Sequence, residues 1–538
     1  MKFDVLLNHI GSLGKYQRLM ILWIYLGASM DGYHYGISVF ILPTKQHRCA
    51  LPNLPNDTYK SQGNYHDTLV NQTIPYEFKD DQYVYEKCHI YNASLGENGT
   101  KTECNSWVYD HSVFSTSVIE DMNLVCDRSL MSANCIVVFF FGVLIGVVTL
   151  GNVSDIVGRR TVMMYSILLQ GSAALGSAWV NNIYLFYLLR FLTGIGCSGS
   201  YIPTFILATE IVGLKYRTFV AIIEQAFFTV GLLVLCGLAY LLDDWRLLTT
   251  VISIPSFIFA ATYFLFIPES PRWLISSGRL EEADKIIKRI ARVNNKEIPV
   301  EYFSEISAEM TPKVKFWKVF TSKKLTCWCA IMCFCWISVS VVYFGLALNS
   351  QDLGGNVFVN FSLGAMVEFP AYFFCIIFLD RMGRKKLQSL TMVVGGVSCL
   401  ATVLPILLGN SSYQWLVLLF AMIGKLGITS AFGAVYLFGC ELFPTVLRNS
   451  AMGLFSTCGR IGAVVAPYIA ELGYVIGGSL GRSVPLFMFG GMALIAAALT
   501  FILPETRGRK LPDTIKEAEN VTENMKKSES LILKSAPI

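Results

Sequence analysis

Three charged signatures occur twice in this sequence, each pair roughly 230 residues apart and each at the end of a long apolar run. GNVSDIVGRR (151–160) returns as FLDRMGRKK (378–386), ATEIVGLKYR (208–217) as GCELFPTVLR (439–448), and PESPR (268–272) as PETRGR (504–509). Repetition at one offset, in apolar surroundings, constrains the fold to two copies of one helical bundle. Duplicated membrane bundles place a solute site at their interface and expose it alternately to either side.

Of the 538 residues, 54% are apolar and 15% charged, whereas soluble domains carry about 25% charged residues. Runs near 19–42, 133–150, 162–180, 183–207, 218–241, 246–267, 326–348, 355–378, 388–408, 414–438, 449–473 and 484–503 each provide roughly the 20 residues a helix needs to cross a bilayer. They are too long and continuous for barrel strands, and a lipid-exposed backbone must satisfy its own hydrogen bonds. The expected class is therefore an all-α membrane protein of twelve transmembrane helices in two pseudo-symmetric six-helix bundles. The expected division is an N-terminal bundle at 1–267 containing an outer domain at 43–132, a cytoplasmic linker with short amphipathic helices at 268–325, a C-terminal bundle at 326–503 and a tail at 504–538.

Arg159, Arg160, Lys215, Arg217, Arg381, Arg384, Lys385, Lys386 and the basic stretch from Arg272 to Lys324 fall on one side of this thread, which makes that side and both termini cytoplasmic. The same loops account for the net charge of +5 without nucleic acid as a partner. No cleavable signal is expected ahead of the first span. The loop at 43–132 then faces outward, and its sequons at Asn56, Asn71, Asn92 and Asn98 are expected glycosylation sites. Cys49, Cys88, Cys104 and Cys126 of that loop imply two disulfides whose pairing the sequence leaves open. Cys327, Cys329, Cys333 and Cys335 read as small buried apolar groups, and the histidines lack ligand spacing, so no metal is expected.

At the inner rim, Gly151 is expected to allow close helix contact, while Asp155 faces Arg159 at the spacing that Asp380 and Arg384 repeat. Glu210 and Arg217 are echoed by Glu441 and Arg448. These eight charges are expected to gate the inner end, forming charge-assisted contacts that break when the bundles rock apart.

RFLTGIGCSGSYIPTFILATEIVG, PESPRWLISSGR, VEFPAY, ELFPTVLRNS, STCGRIG and LPETRGRKLPDTI resemble the organic cation and carnitine transporters of the major facilitator superfamily, over nearly the whole chain. SVVYFGLALNSQDLGGNVFVNFSLGAMVEFPAY is most similar to the carnitine branch. The resemblance implies the major facilitator fold and a plasma-membrane carrier that works by alternating access as a monomer, with no covalent chemistry. It also implies cage aromatics at Tyr35, Trp336 and Tyr343 and a polar contact at Gln225. Arg460 matches the span-eleven arginine of carnitine-type and anion-type relatives, where cation-selective relatives carry an acid.

Buried ionisable groups usually serve a pathway or a partner. Glu368 and Arg460 therefore read as opposite charges for the two ends of a zwitterion, with a mutual salt bridge as the structural alternative. Ring faces of Tyr35, Tyr201, Trp336 and Tyr343 suit a quaternary ammonium, which cannot donate a hydrogen bond. Asp31 stands where sodium-coupled carnitine relatives have asparagine, so it is the candidate coupling residue of a symporter, for sodium or for protons, with direct contact to a solute ammonium as the alternative. Glu224 reads as a proton relay or a group snorkelling to the interface, and Arg190 and Lys425 as packing or gating groups. The expected solutes are carnitine, related betaines or other small zwitterions. The alternatives are a polyspecific organic cation facilitator, an organic anion exchanger or a transporter-shaped receptor. No nucleophile–base pair or phosphate-cradling loop points to an enzyme.

Overall fold

The computed structural model describes residues 3–43, 45–52, 54–79, 82–91, 100–298, 322–351, 353–408, 413–508 and 517. Its frame is twelve long helices. The first half contains α1 (Lys15–Gly36), α2 (Ser129–Val157), α3 (Arg159–Ala178), α4 (Ile183–Glu210), α5 (Arg217–Leu241) and α6 (Trp245–Phe266). The second contains α7 (Lys323–Leu348), α8 (Val357–Met366, resumed at Glu368–Met382), α9 (Arg384–Leu407), α10 (Gln414–Leu442), α11 (Thr445–Ile476) and α12 (Gly478–Thr500).

Among the described residues, ten of these helices are long and apolar enough to cross a membrane on length and composition alone. The other two, α1 and α3, bury Gln17, Asp31, His34, Arg159 and Gln170 inside the bundle, which lowers their hydropathy. Polar residues turned inward leave an apolar face for lipid, so both still belong to the set of twelve.

In the first half α1 packs on α4 and α5, α2 on α4, and α3 on α4 and α6; in the second, α7 packs on α11 and α12, α9 on α10 and α12, and α8 on α10. The halves meet along two seams, α2 against α11 and α5 against α8. The internal repeat carries α2 onto α8 and α5 onto α11, so it exchanges the seams, as pseudo-two-fold symmetry requires. Small residues set the closest crossings. A Cβ on Gly32 would stand 2.4 Å from Phe228 O, and one on Gly231 2.0 Å from Ser29 O, which holds α1 and α5 backbone to backbone.

The rim glycine that matters is not Gly151, around which a Cβ would find open space, but Gly158 before α3 and its repeat Gly383 before α9. Their φ angles of 111° and 93° admit glycine readily, and they turn the chain so that the next helix starts beside a carboxylate. Glu269 accepts from the backbone N–H groups of Arg159 and Arg160, and Glu505 from that of Arg384.

The segment between α1 and α2 has its own small structure. Among its described residues, six short strands, β1 (His47–Cys49), β2 (Tyr76–Lys79), β3 (Gln82–Tyr85), β4 (His89–Tyr91), β5 (Lys101–Glu103) and β6 (Trp107–Tyr109), pair antiparallel as β1–β6, β2–β3 and β4–β5. The disulfides are Cys49–Cys104 and Cys88–Cys126. Asn56 and Asn71 are exposed, while Asn92 and Asn98 lie outside the described residues. Toward the linker, Leu6, Leu7 and Ile10 of a helix at Phe3–Ile10 bury against Ile287, Ile290 and Ala291 of an amphipathic helix at Leu280–Val293. The rest of the linker from 299 to 321, and most of the tail from 509, lie outside the described residues. In α7, Cys329 and Cys335 are buried inside the bundle, Cys333 is half-buried, and Cys327 is exposed on the helix surface.

Candidate functional site

Two neighbouring cavities lie between the halves and share Tyr35, Phe228, Tyr343 and Phe344. The first is completed by Tyr201, Gln225, Tyr372, Thr429, Phe432, Tyr436 and Arg460. The second is lined mainly by apolar side chains such as Val39, Leu232, Phe361 and Met422, with Glu368 and Lys425 at its polar edge. Of the expected contact residues, Tyr35, Tyr201, Gln225, Tyr343 and Arg460 thus meet in one cavity, and Glu368 lines the adjoining one.

Trp336 lines neither. It is 2% exposed, and its ring packs at 4.4 Å against Tyr436, so it stands behind the cavity wall. Seven-residue spacing puts Trp336 and Tyr343 on one helix face, but two turns apart along the axis, and only Tyr343 reaches the cavity.

The two central charges differ in how they are partnered. Glu368 is fully buried, and its partner is Lys425, at 3.1 Å, rather than Arg460. It also accepts hydrogen bonds from Tyr343 at 2.6 Å, from Thr229 of α5 at 2.6 Å and from Tyr372 at 3.2 Å. Lys425 in turn lies 3.4 Å from the centre of the Tyr343 ring. Glu368 is therefore neutralised and saturated in this conformation. The Thr229 bond ties the two halves together across the α5–α8 seam.

Arg460 has no carboxylate within 4.0 Å among the described residues. Its guanidinium lies 5.9 Å from the centre of the Tyr35 ring, and Tyr201 and Tyr436 line the same cavity. A cation that faces a ring-lined cavity without an acid beside it can receive a bidentate carboxylate.

Arg190 donates to Ser38 at 2.8 Å and lies 4.7 Å from the Phe139 ring centre, a packing arrangement on the first half. Asp31 accepts from Ser200 at 2.7 Å. Glu224 does not snorkel to the interface, since it is only 1% exposed.

At the rim, Asp155 pairs with Arg159 at 2.7 Å and Arg159 with Glu210 at 3.5 Å; the repeat shows Asp380 with Arg384 at 3.0 Å and Arg384 with Glu441 at 2.9 Å. Each of these pairs stays within one half. Arg217 does not pair with Glu210 but with Asp4 at 2.6 Å, and Asp4 also holds Arg272 at 2.5 Å. Arg448 lies in the first turn of α11.

Sequence reasoning missed several of these groups. Tyr372, Phe432 and Tyr436 line the cavity but were lost among many membrane aromatics. Glu269 and Glu505 were visible as the acids of the repeated PES and PET triplets, yet their capping role needs the third dimension. Asp4 gave no signal, because its partners are more than 200 residues away.

The profile of the sugar (and other) transporter family matches residues 20–517. An organic cation transporter protein of Drosophila melanogaster is 35% identical over 97% of this chain and 95% of its own length. The organic cation/carnitine transporter 2 of Homo sapiens is 30% identical over 95% of this chain and 93% of its own. The xylose transporter of E. coli, in a partially occluded inward-open conformation, superposes with a TM-score of 0.61 over 92% of this chain and 100% of its own, at 17% identity, and so shares the fold. These proteins are carriers and not enzymes. The chain is a multi-pass membrane transporter of the sugar (and other) transporter family and belongs, within the major facilitator superfamily, to the organic cation/carnitine transporters.

Proposed function

We propose that this protein is a plasma-membrane carrier for small organic zwitterions, carnitine and related betaines being the model solutes, and that it works by alternating access with both termini cytoplasmic. The observation that carries the reading is Arg460, a cation without a carboxylate partner among the described residues, facing a cavity walled by tyrosine and phenylalanine. The solute carboxylate docks on Arg460. Its ammonium end, which cannot donate a hydrogen bond when fully substituted, rests against the faces of Tyr35, Tyr201 and Tyr436. Glu368 is not the primary contact for that end, because Lys425 already neutralises it. A purely cationic solute would meet repulsion from Arg460 with no free acid in the same cavity to offset it. The organic cation and carnitine transport named for the two relatives agrees with a charged, nitrogen-containing solute.

The same reading places the segment between α1 and α2 outside the cell, with glycans on its exposed asparagines, and makes the carrier a monomer. Uptake of labelled L-carnitine, tetraethylammonium and a dicarboxylate by cells expressing the protein tests the assignment. Carnitine uptake that exceeds both others is the expected result. Tetraethylammonium uptake without carnitine uptake would replace the zwitterion by a simple cation.

A further inference from the structure

Asp31 and Glu224 are buried acids that the binding scheme leaves unused. They are each 1% exposed and sit on α1 and α5, the helices that Gly32 and Gly231 bring into backbone contact. Asp31 precedes Gly32, and Glu224 lies about one helical turn before Phe228, whose carbonyl oxygen Gly32 packs against, so the two acids flank that crossing.

Few donors reach the two acids. Ser200 Oγ carries one hydrogen, yet three acceptors surround it: Asp31 Oδ1 at 2.7 Å, Cys197 O at 2.9 Å and Gln170 Oε1 at 3.3 Å. Among the described residues, Asp31 Oδ2 and both oxygens of Glu224 have no hydrogen-bond partner; the Nε2 amide of the fully buried Gln170 beside Asp31 is a spare donor for Asp31 but brings no charge to balance either acid. Native interiors leave few polar groups in this condition. An ionised carboxylate cut off from water is costly unless a cation neutralises it. A bound proton removes that cost, because a neutral acid needs no counter-charge and brings its own donor. A metal ion needs a shell of oxygens and room to sit, but neither central cavity is lined by Asp31 or Glu224. A proton needs no room.

Charged and titratable neighbours sharpen the choice. Arg460 of α11 is the cation whose charge reaches Asp31. The others that face the pair are Tyr25 and Tyr35 from α1, Cys197 and Tyr201 from α4, Tyr263 from α6 and Tyr436 from α10. Tyrosine and cysteine are ordinarily neutral at physiological pH.

We propose that Asp31 and Glu224 form a proton site that binds its proton more tightly when a solute carboxylate occupies Arg460, so that one proton crosses with each zwitterion. The solute's negative charge takes up the field that Arg460 otherwise directs at Asp31, and the acid pair holds its proton more firmly. By linkage, protonation strengthens solute binding by the same factor. The solute half of this scheme rests on the zwitterion reading above; the proton site itself rests on the side-chain geometry.

Two measurements on the full-length protein in liposomes separate the two. With sodium absent and the membrane potential clamped, an interior more alkaline by one pH unit is expected to drive L-carnitine to about tenfold accumulation. Asp31→Asn and Glu224→Gln are expected to bring carnitine only to equal concentrations on both sides. Accumulation driven by a sodium gradient and not by a pH gradient overturns the proposal. The second readout needs neither solute nor variant: dicyclohexylcarbodiimide, which attacks protonated carboxyl groups in apolar surroundings, should modify Glu224 or Asp31 and do so less as pH rises from about 6 to about 9. If neither acid reacts anywhere in that range, the site is not a proton site. If they react as expected while carnitine neither binds nor moves, the proton site stands and the choice of solute falls.

Discussion

Arg460 places a guanidinium inside a span where a lone charge costs roughly 2.5 to 3.5 kcal/mol on insertion scales. Ring faces at Tyr35 and its neighbours offset part of that, and a bound carboxylate would offset the rest. Lys425 differs, because its charge is already satisfied by Glu368 and the Tyr343 ring. Arg460→Asp should therefore lower carnitine affinity by about thirtyfold, the equivalent of a charge-assisted hydrogen bond worth roughly 2 kcal/mol, and raise that for tetraethylammonium. Competition binding with both solutes measures it, and unchanged selectivity would remove the carboxylate contact. The prominence of Arg460 was legible in the sequence as a single base in the middle of an apolar run. The partner of Glu368 was not, since spacing along one helix says nothing about which residue of another helix it meets.

At the scale of elements, the segment between α1 and α2 shows how a structure with little apolar core is held. Two disulfides close it, and inside it Asp57 binds Arg48 at 2.5 Å and His66 at 2.9 Å. Burial acts to raise the Asp57 carboxyl, but hydrogen bonds from Arg48, His66 and the Leu51 N–H outweigh it and hold the group below the usual carboxylate range. A carboxyl lowered on folding stabilises the segment at all pH values above the unfolded value of about 4 and loses that contribution as pH falls through the folded value. Proteolysis of the segment should therefore be pH-independent from neutral to about pH 4 and accelerate below it. Asp57→Asn should destabilise it by about 3 kcal/mol at neutral pH, because Arg48 is left buried without its acid. The sequence showed that the segment had four cysteines and the length of a small domain. It could not choose the pairing, because each pairing satisfies the same count. The helices were more legible than the strands: a span is a continuous apolar run, and even α1 and α3 kept that pattern despite inward-facing polar groups.

For the whole molecule, the two ends of the half–half interface are in different states. On the side that carries the segment between α1 and α2, Phe40 of the short helix Ser38–Ile41 that follows α1 stacks on Phe358 of α8 at 5.7 Å and meets Phe361 edge-on at 5.0 Å, while Gln351 donates to Val39 O at 2.7 Å. These contacts cross between halves and close that end. At the other end, the Asp155–Arg159–Glu210 and Asp380–Arg384–Glu441 sets each stay inside their own half, with Asp155 and Asp380 largely exposed. Exposed acids that come up against a helix N-terminus of the opposite bundle on closure would gain partners there, which makes the closed rim the state they stabilise. An exposed pair contributes little on its own, so the effect of a single acid should appear in the rate of interconversion more than in stability. Asp155→Asn, and equally its repeat Asp380→Asn, should then lower carnitine turnover by about tenfold while leaving equilibrium binding within about twofold of the parent. Initial uptake rates set beside binding isotherms distinguish the two quantities. Parental turnover in both variants would assign these acids to membrane topology, and a loss of binding matching the loss of rate would place them in the solute site instead.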